Sequence, residues 1–451
     1  MTRLEAATAL ALSHRLATEQ SEHRLPSVVA GVVRDDELVW SDACGTLDGR
    51  PDSTVPDAST QYRLGSISKT FVAVELMRLR DEGRLDLGDT IGTHLPEVDF
   101  GQVTVAQLLT HTSGLQAETD GPWWERAPGE PWDALVASSP QLRFTPGTRF
   151  HYSNVGYAVL GEVVARLRGE PWHAAVKAGI LDPLGMARTT VRPEPPVAPG
   201  LAVHPFADVL LPEPEHDAVA LAPAGQLWST VTDLARWATF LGGHTGDVLS
   251  SKTLDEMLHP VAINDVPDAA WSGAHALGWQ MWNVEGRRFA GHGGSMPGFL
   301  AVVRVDVTSG DGVVLLTNAT SGLGTGATDL LNLLAEAEPH PPEPWSADAT
   351  QVEALELTGE WFWGTQRFTL ALQPDGGLLL GTPGEGRGAH FVRSDDGWIG
   401  LEGYYAGEPL TVRRDADGRP IQLDLASFVF TRAPYDPAAE IPGGLDPEGW
   451  R

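Results

Sequence analysis

Apolar and polar positions change period several times along this 451-residue chain. The first stretch, through Arg15, carries a short apolar run broken by Glu5, the pattern of an amphipathic helix. Val28 to Val33 and Glu37 to Trp40 then flank Arg34-Asp35-Asp36, two strands around a polar turn. The second strand-like run ends at Cys44. From Thr70 to Glu82 the period is helical. Phe71, Val74, Leu76 and Leu79 form the apolar set, and Gly83 is the stop. Val105–Leu109, Val155–Leu167 and Asp233–Leu241 also read as helices. Strands return at Arg287–Gly291, Phe299–Val307 and Val313–Thr317, with a turn at Ser309-Gly310-Asp311-Gly312, and a helix follows at Ala327–Ala337. Strands from both ends thus enclose a helical middle. The packing this predicts is one antiparallel sheet with helices on its faces, an α/β (α+β) fold with a separate helical region.

Glu338 to Pro344 is a Pro-rich charged break, the mark of a stiff linker. Beyond it the runs are short and alternating, as at Arg367–Leu372 and Ile421–Leu425. Turn signals separate them at Pro374–Gly377, Asp395–Gly397 and Asp415–Gly418. This spacing predicts a small all-β barrel or sandwich. The expected organisation is a main domain over 1–337, a linker over 338–350 and a β domain over 351–451. Residues 116–143, with Trp123, Trp124 and Trp132, and the Pro-rich 191–222 read as long irregular loops, which in a compact domain are usually functional.

Charge narrows the function classes. The chain has 31 basic and 60 acidic residues, a net charge of −29. That disfavours nucleic acid and anionic membrane surfaces as partners. No apolar stretch is long enough to span a bilayer, and no leader pattern is visible, so the cytoplasm is the expected location. The single cysteine, Cys44, forms no internal disulfide and ends a strand, where it reads as a small buried hydrophobe. The 14 histidines show no zinc-binding spacing and no phosphate loop is present, so no metal and no cofactor is expected.

Three short motifs carry chemistry. Ser66-Ile67-Ser68-Lys69 opens the first strong helix, and positions three apart share a face, so the hydroxyl and the amine converge. Serine needs a base to become a nucleophile, and a lysine serves if burial lowers its pKa. Only Lys69, Lys177 and Lys252 are lysines among the 31 basic residues, so Lys69 is not a routine surface cation. Tyr152-Ser153-Asn154 offers a phenol as proton carrier and an amide to orient the lysine and a substrate carbonyl. In His292-Gly293-Gly294-Ser295 the glycines let a substrate backbone approach, and the Ser295 N–H is a second oxyanion donor opposite that of Ser66. His292 is placed to donate a hydrogen bond or tune the Tyr152 proton. Taken singly, each motif also has a plain structural reading. Ser66 serves as a helix cap, Tyr152 as an aromatic before a helix capped by Asn154, and His292–Ser295 as a Gly-rich turn.

Taken together and in this order, Ser-x-x-Lys, Tyr-x-Asn and His-x-Gly resemble the signature of serine β-lactamases and penicillin-binding proteins. The chain looks like the class C β-lactamase-related esterases and D-peptidases. Tyr62–Thr70, Thr104–Leu115 and Ile180–Met186 add to the likeness, which spans roughly residues 20 to 335. The resemblance implies an acyl-enzyme on Ser66, with Lys69 and Tyr152 sharing the acid and base work and Asn154 positioning the substrate. His292 stands where many relatives carry the lysine of Lys-Thr-Gly, which implies an esterase or peptidase rather than an efficient β-lactamase. Gly293, Gly294, Trp123 and Trp124 are the expected substrate-binding residues, and His111 is read as structural. The β domain looks like the lipocalin-like appendage of some of these enzymes, its loops expected to narrow the cleft. The expected function is a serine acyl-transfer hydrolase of esters or small amides and peptides, some of them D-configured. One alternative is a thioesterase that cyclises a nonribosomal peptide, with an acyl or peptidyl carrier protein as partner. Another is a slowly acylated β-lactam or peptide sensor.

Overall fold

Two Val-rich runs from opposite ends of the first unit pair side by side in the main sheet. The computed structural model of the protein describes residues 4–342, 344–381, 388–394 and 397–434. In it, β1 (Ser27–Arg34) and β2 (Glu37–Gly45) form the expected hairpin. Asp35 and Asp36 both take positive φ, the two-residue turn that matches strand twist. β3 (Ala262–Ile263), β4 (Gly273–His275), β5 (Gln280–Val284), β6 (Arg287–Met296), β7 (Phe299–Asp306) and β8 (Gly312–Thr317) complete an eight-stranded sheet. Its order is β2-β1-β8-β7-β6-β5-β4-β3, antiparallel throughout. Here β1 pairs with β8, Val28 opposite Thr317.

The period-2 pattern sorts the sheet's side chains onto two cores. Val28, Ala30 and Val32 of β1 join Val313 and Leu315 of β8 on one face. They pack against Leu12 and Leu16 of α1 (Ala6–Glu22) and Leu330, Leu331 and Leu334 of α6 (Gly326–Ala337). Val29, Val33, Val314 and Leu316 face the helical region. That region contains α2 (Ser68–Asp81), α3 (Val105–Leu109), α4 (Asn154–Arg168) and α5 (Val231–Leu241). Helix α2 is buried almost all round, from Ser68 to Met77, as befits a helix at the centre of a domain.

Several details correct the sequence reading. Ser66 does not open α2. It lies in a tight 3-10 turn, Gly65–Ile67, directly ahead of it. The cap of α4 is Ser153, whose hydroxyl accepts from the Gly156 N–H, and Asn154 is the first helical residue. The stretch His292–Ser295 is neither a turn nor a segment after a strand. It continues β6, paired with β7 through Met296. Strands β3 to β5 are additions that short, weakly alternating segments did not signal. The two irregular stretches contain a short helix, Trp132–Ala137, and a small hairpin, Leu201–Val203 with Leu210–Pro212.

The chain divides into two compact units between Pro341 and Pro342. In the second, β9 (Gly359–Trp363), β10 (Gln366–Leu372), β11 (Leu378–Leu380), β12 (Ala389–Ser394), β13 (Gly397–Gly400), β14 (Pro409–Arg414), β15 (Pro420–Leu425) and β16 (Phe428–Thr431) form a closed eight-stranded barrel. Phe362 opposite Thr431 closes the ring. The turns at 374–377 and 415–418 join consecutive strands as expected, while Asp395 and Asp396 lie outside the described residues. Trp361, Leu370, Leu378, Phe391, Leu423 and Phe430 fill the interior. Among the described residues of this unit no Lys, Arg, Asp, Glu or His is buried.

Candidate active site

The site starts from the turn ahead of α2. One helical turn separates Ser66 from Lys69, and the Lys69 Nζ donates to Ser66 Oγ at 3.0 Å. It also donates to Asn154 Oδ1 and to the Ala224 carbonyl, both at 2.7 Å. An ammonium has three N–H donors, so all three are used. Burial pushes the Lys69 pKa down to about 7, against the pull of the Glu118 and Glu125 carboxylates, which favour the cation. A neutral amine here keeps two donors, for Asn154 and Ala224, and turns its lone pair to the Ser66 hydroxyl.

Tyr152 forms the next wall. Its hydroxyl is buried beside the Ser66 hydroxyl, without a partner in full hydrogen-bond geometry. Burial holds the phenol pKa well above its ordinary value, the Ser66 hydroxyl pulling it partly back, so the proton stays on oxygen at neutral pH. Its ring lies 5.0 Å from the Lys69 Nζ.

His111, at positive φ, clamps the whole Tyr152 segment. Its carbonyl accepts from the His151 N–H at 2.7 Å, its ring stacks on Tyr152 at 4.0 Å, and its Nδ1 accepts from the Ser153 N–H at 3.0 Å. Accepting at Nδ1 requires a neutral ring, and burial holds the His111 pKa well below its usual range.

Strand β6 supplies the opposite wall. It pairs with β5 only as far as Gly291, while β7 pairs through Met296, so residues 292–296 have one open edge. Gly293 N–H points to that side and donates to Gln280 Oε1 at 3.1 Å. Two residues on, the Ser295 N–H points the same way. Two glycines bring this edge onto the serine turn. A Cβ on Gly294 would stand 1.8 Å from the Leu64 carbonyl oxygen, and one on Gly65 (φ +55°) 2.5 Å from the Ser295 nitrogen. No side chain fits either place, so the Ser66 and Ser295 amides lie close together. His292 is buried and its pKa is pushed down to about 3, chiefly by burial and then by Lys69. Its Nδ1–H donates to the Gly293 carbonyl at 2.5 Å, and its ring centre is 6.4 Å from that of Tyr152.

The structure thus gathers Ser66, Lys69, Tyr152, Asn154, His292, Gly293, Gly294 and Ser295. It separates the two tryptophans expected at the substrate. Trp123 is 58% exposed, with Arg126 over its ring. Trp124 is buried, lines a cavity of about 60 Å³ with Pro122, Leu135 and Leu221, and donates through Nε1 to Glu118 Oε2 at 2.6 Å. Glu118 Oε1 in turn accepts from Asn154 Nδ2 at 2.7 Å. Sequence reasoning missed Glu118 and Gln280. Neither sits in a motif, and each reaches the site from another element.

Both units of the chain match known family models. The beta-lactamase family model matches residues 12–338, and residues 350–432 match a Domain of unknown function (DUF7586). Esterase EstB of Burkholderia gladioli is 36% identical over 194 residues, 37% of this chain and 47% of that protein. The chain spans about half the length of curated relatives such as this one. A D-stereospecific amidohydrolase from Streptomyces sp. has 26% identity and a TM-score of 0.61 over 73% of this chain and 98% of its own. The octameric penicillin-binding protein homologue from Pyrococcus abyssi shares the fold at a TM-score of 0.65 and 21% identity, over 94% of this chain and 99% of its own. With nearly the whole first unit matched, the chain belongs to the beta-lactamase family.

Proposed function

We propose that the protein hydrolyses esters and small amides through an acyl-enzyme on Ser66, with neutral Lys69 as the base of acylation. One observation carries this reading: the Lys69 amine has fixed acceptors in Asn154 and Ala224, and its third direction is the Ser66 hydroxyl. The Ser66 oxygen attacks the substrate carbonyl as its proton passes to Lys69. The Ser66 and Ser295 N–H groups receive the oxyanion. Tyr152, a protonated phenol, gives a proton to the leaving group and recovers it by way of Lys69. Water then releases the acyl group by the same steps in reverse.

Charge sets the substrate class. His292 is neutral where a cation would hold a substrate carboxylate, and Glu118 and Glu125 lie on the lysine side. Acyl groups with a neutral or cationic substituent fit this cleft better than peptides ending in a free carboxylate. Similarity to the D-stereospecific amidohydrolase adds D-configured amides to the set. For the barrel we propose the lipocalin-like class by strand count, with an interior filled by its own side chains.

Intact-mass measurement during turnover of a p-nitrophenyl ester tests the reading. The expected result is one acyl adduct per chain, located on Ser66 and absent from Ser66→Ala. Turnover by Ser66→Ala at the wild-type rate overturns it.

A further inference from the structure

Glu118 belongs to none of the three motifs, yet it ends a line of hydrogen bonds that begins at the nucleophile. Lys69 Nζ donates to Ser66 Oγ and Asn154 Oδ1. Asn154 Nδ2 donates to Glu118 Oε1, and Trp124 Nε1 donates to Glu118 Oε2. Both carboxylate oxygens therefore accept from groups that can only donate. The buried indole holds the outer oxygen in place.

The carboxamide of Asn154 has two orientations, related by a flip about its terminal bond. In one, oxygen faces Lys69. In the other, the NH₂ group faces the lysine, where it opposes an N–H of the ammonium or draws the neutral amine's lone pair away from Ser66. An ionised Glu118 accepts only the NH₂ face. We propose that Glu118 is a positioning residue that locks Asn154 with its oxygen on Lys69, and so aims the lysine lone pair at Ser66. The proposal rests on the reading of Ser66 as nucleophile and Lys69 as its base.

Glu118 also acts on Lys69 through space. The titratable groups facing the amine are Glu118 and Glu125 from the loop before Trp132, Tyr152 ahead of α4, Tyr157 on α4, His111 after α3 and His292 on β6. The two carboxylates favour the cation. Removing the charge of one lowers the Lys69 pKa further, and a flipped Asn154 presents a donor dipole that lowers it again.

Glu118→Gln is the test. The shape is kept, but an NH₂ group replaces one of the two accepting oxygens, so either Trp124 Nε1–H or Asn154 Nδ2–H meets a donor. For p-nitrophenyl ester hydrolysis, kcat is expected to fall about 10- to 100-fold. The acid limb of kcat/KM is expected to move about one unit toward lower pH. Glu118→Asp, which keeps the charge on a shorter arm, lowers kcat but leaves the limb in place. A purely structural residue lowers the active fraction without moving the limb. Wild-type kcat and an unmoved limb in a folded Glu118→Gln overturn the proposal. Should that variant fail to fold, Trp124→Phe, which removes only the outer donor, decides: lowered kcat with retained melting temperature supports the lock, and unchanged kcat overturns it. Activity retained by Ser66→Ala would instead defeat the nucleophile assignment, a separate result.

Discussion

The two units bury different things. The barrel interior is Trp361, Leu370, Leu378, Phe391 and their like, and no ionisable Asp, Glu, His, Lys or Arg is buried there among the described residues. The first unit has an apolar core as well, but within it lie Lys69, His111 and His292, each with its pKa moved by burial. Burying a charged form is costly, so such groups persist where hydrogen bonds satisfy them and where their altered acidity is used. The contrast supports assigning the proposed chemistry to the first unit, which buries groups of shifted acidity, rather than to the barrel, whose described interior is apolar.

Variants can break this contrast. Ser66→Ala is expected to remove ester turnover by about 10⁴-fold or more, read against the uncatalysed rate. Lys69→Arg comes next, with kcat lowered about 10³-fold at retained fold, because a guanidinium keeps the charge but cannot act as a base. Near-normal rates in Lys69→Arg would move the base elsewhere. His111→Phe keeps a ring against Tyr152 but removes the acceptor of the Ser153 N–H. A loss of about tenfold in kcat is expected, with about 1–3 kcal/mol of stability from the orphaned donor in thermal unfolding. The smallest kinetic effect is expected from Leu378→Ala in the barrel. It should cost about 2–5 kcal/mol of barrel stability and leave kcat/KM for a small ester unchanged. A large kinetic loss there would erase the distinction between the units.

What was legible in the sequence followed from distance along the chain. Ser66 and Lys69 are one helical turn apart, and Tyr152 and Asn154 are two residues apart, so local geometry already brings their side chains together. Strands β1, β7 and β8 announced themselves through Val-rich apolar runs, and the barrel through its regularly spaced turns. Glu118 was invisible because its partner Asn154 lies 36 residues away and its own loop has no period to read. Gln280 was missed for the same reason, in a region whose strands are two to five residues long. The glycines of His292–Ser295 suggested a turn because glycine is a poor strand former. The structure keeps them in β6, where the backbone must pass within contact of Leu64 and Gly65. His111 looked merely structural, and its reach to three successive residues shows how a packing residue comes to support a site.

The proposed acylation of Ser66 requires Lys69 to be a neutral amine near physiological pH. The direct measurement is the pH dependence of kcat/KM for a neutral ester. A lysine held at about 7 is protonated and inactive below that pH and free above it. His292 and His275, held at about 3 and about 4, titrate well below this range. The expected profile is a tenfold rise per pH unit that levels off near pH 7. A rate that is flat through this range, or one that rises only toward the pKa of an exposed lysine, would contradict it.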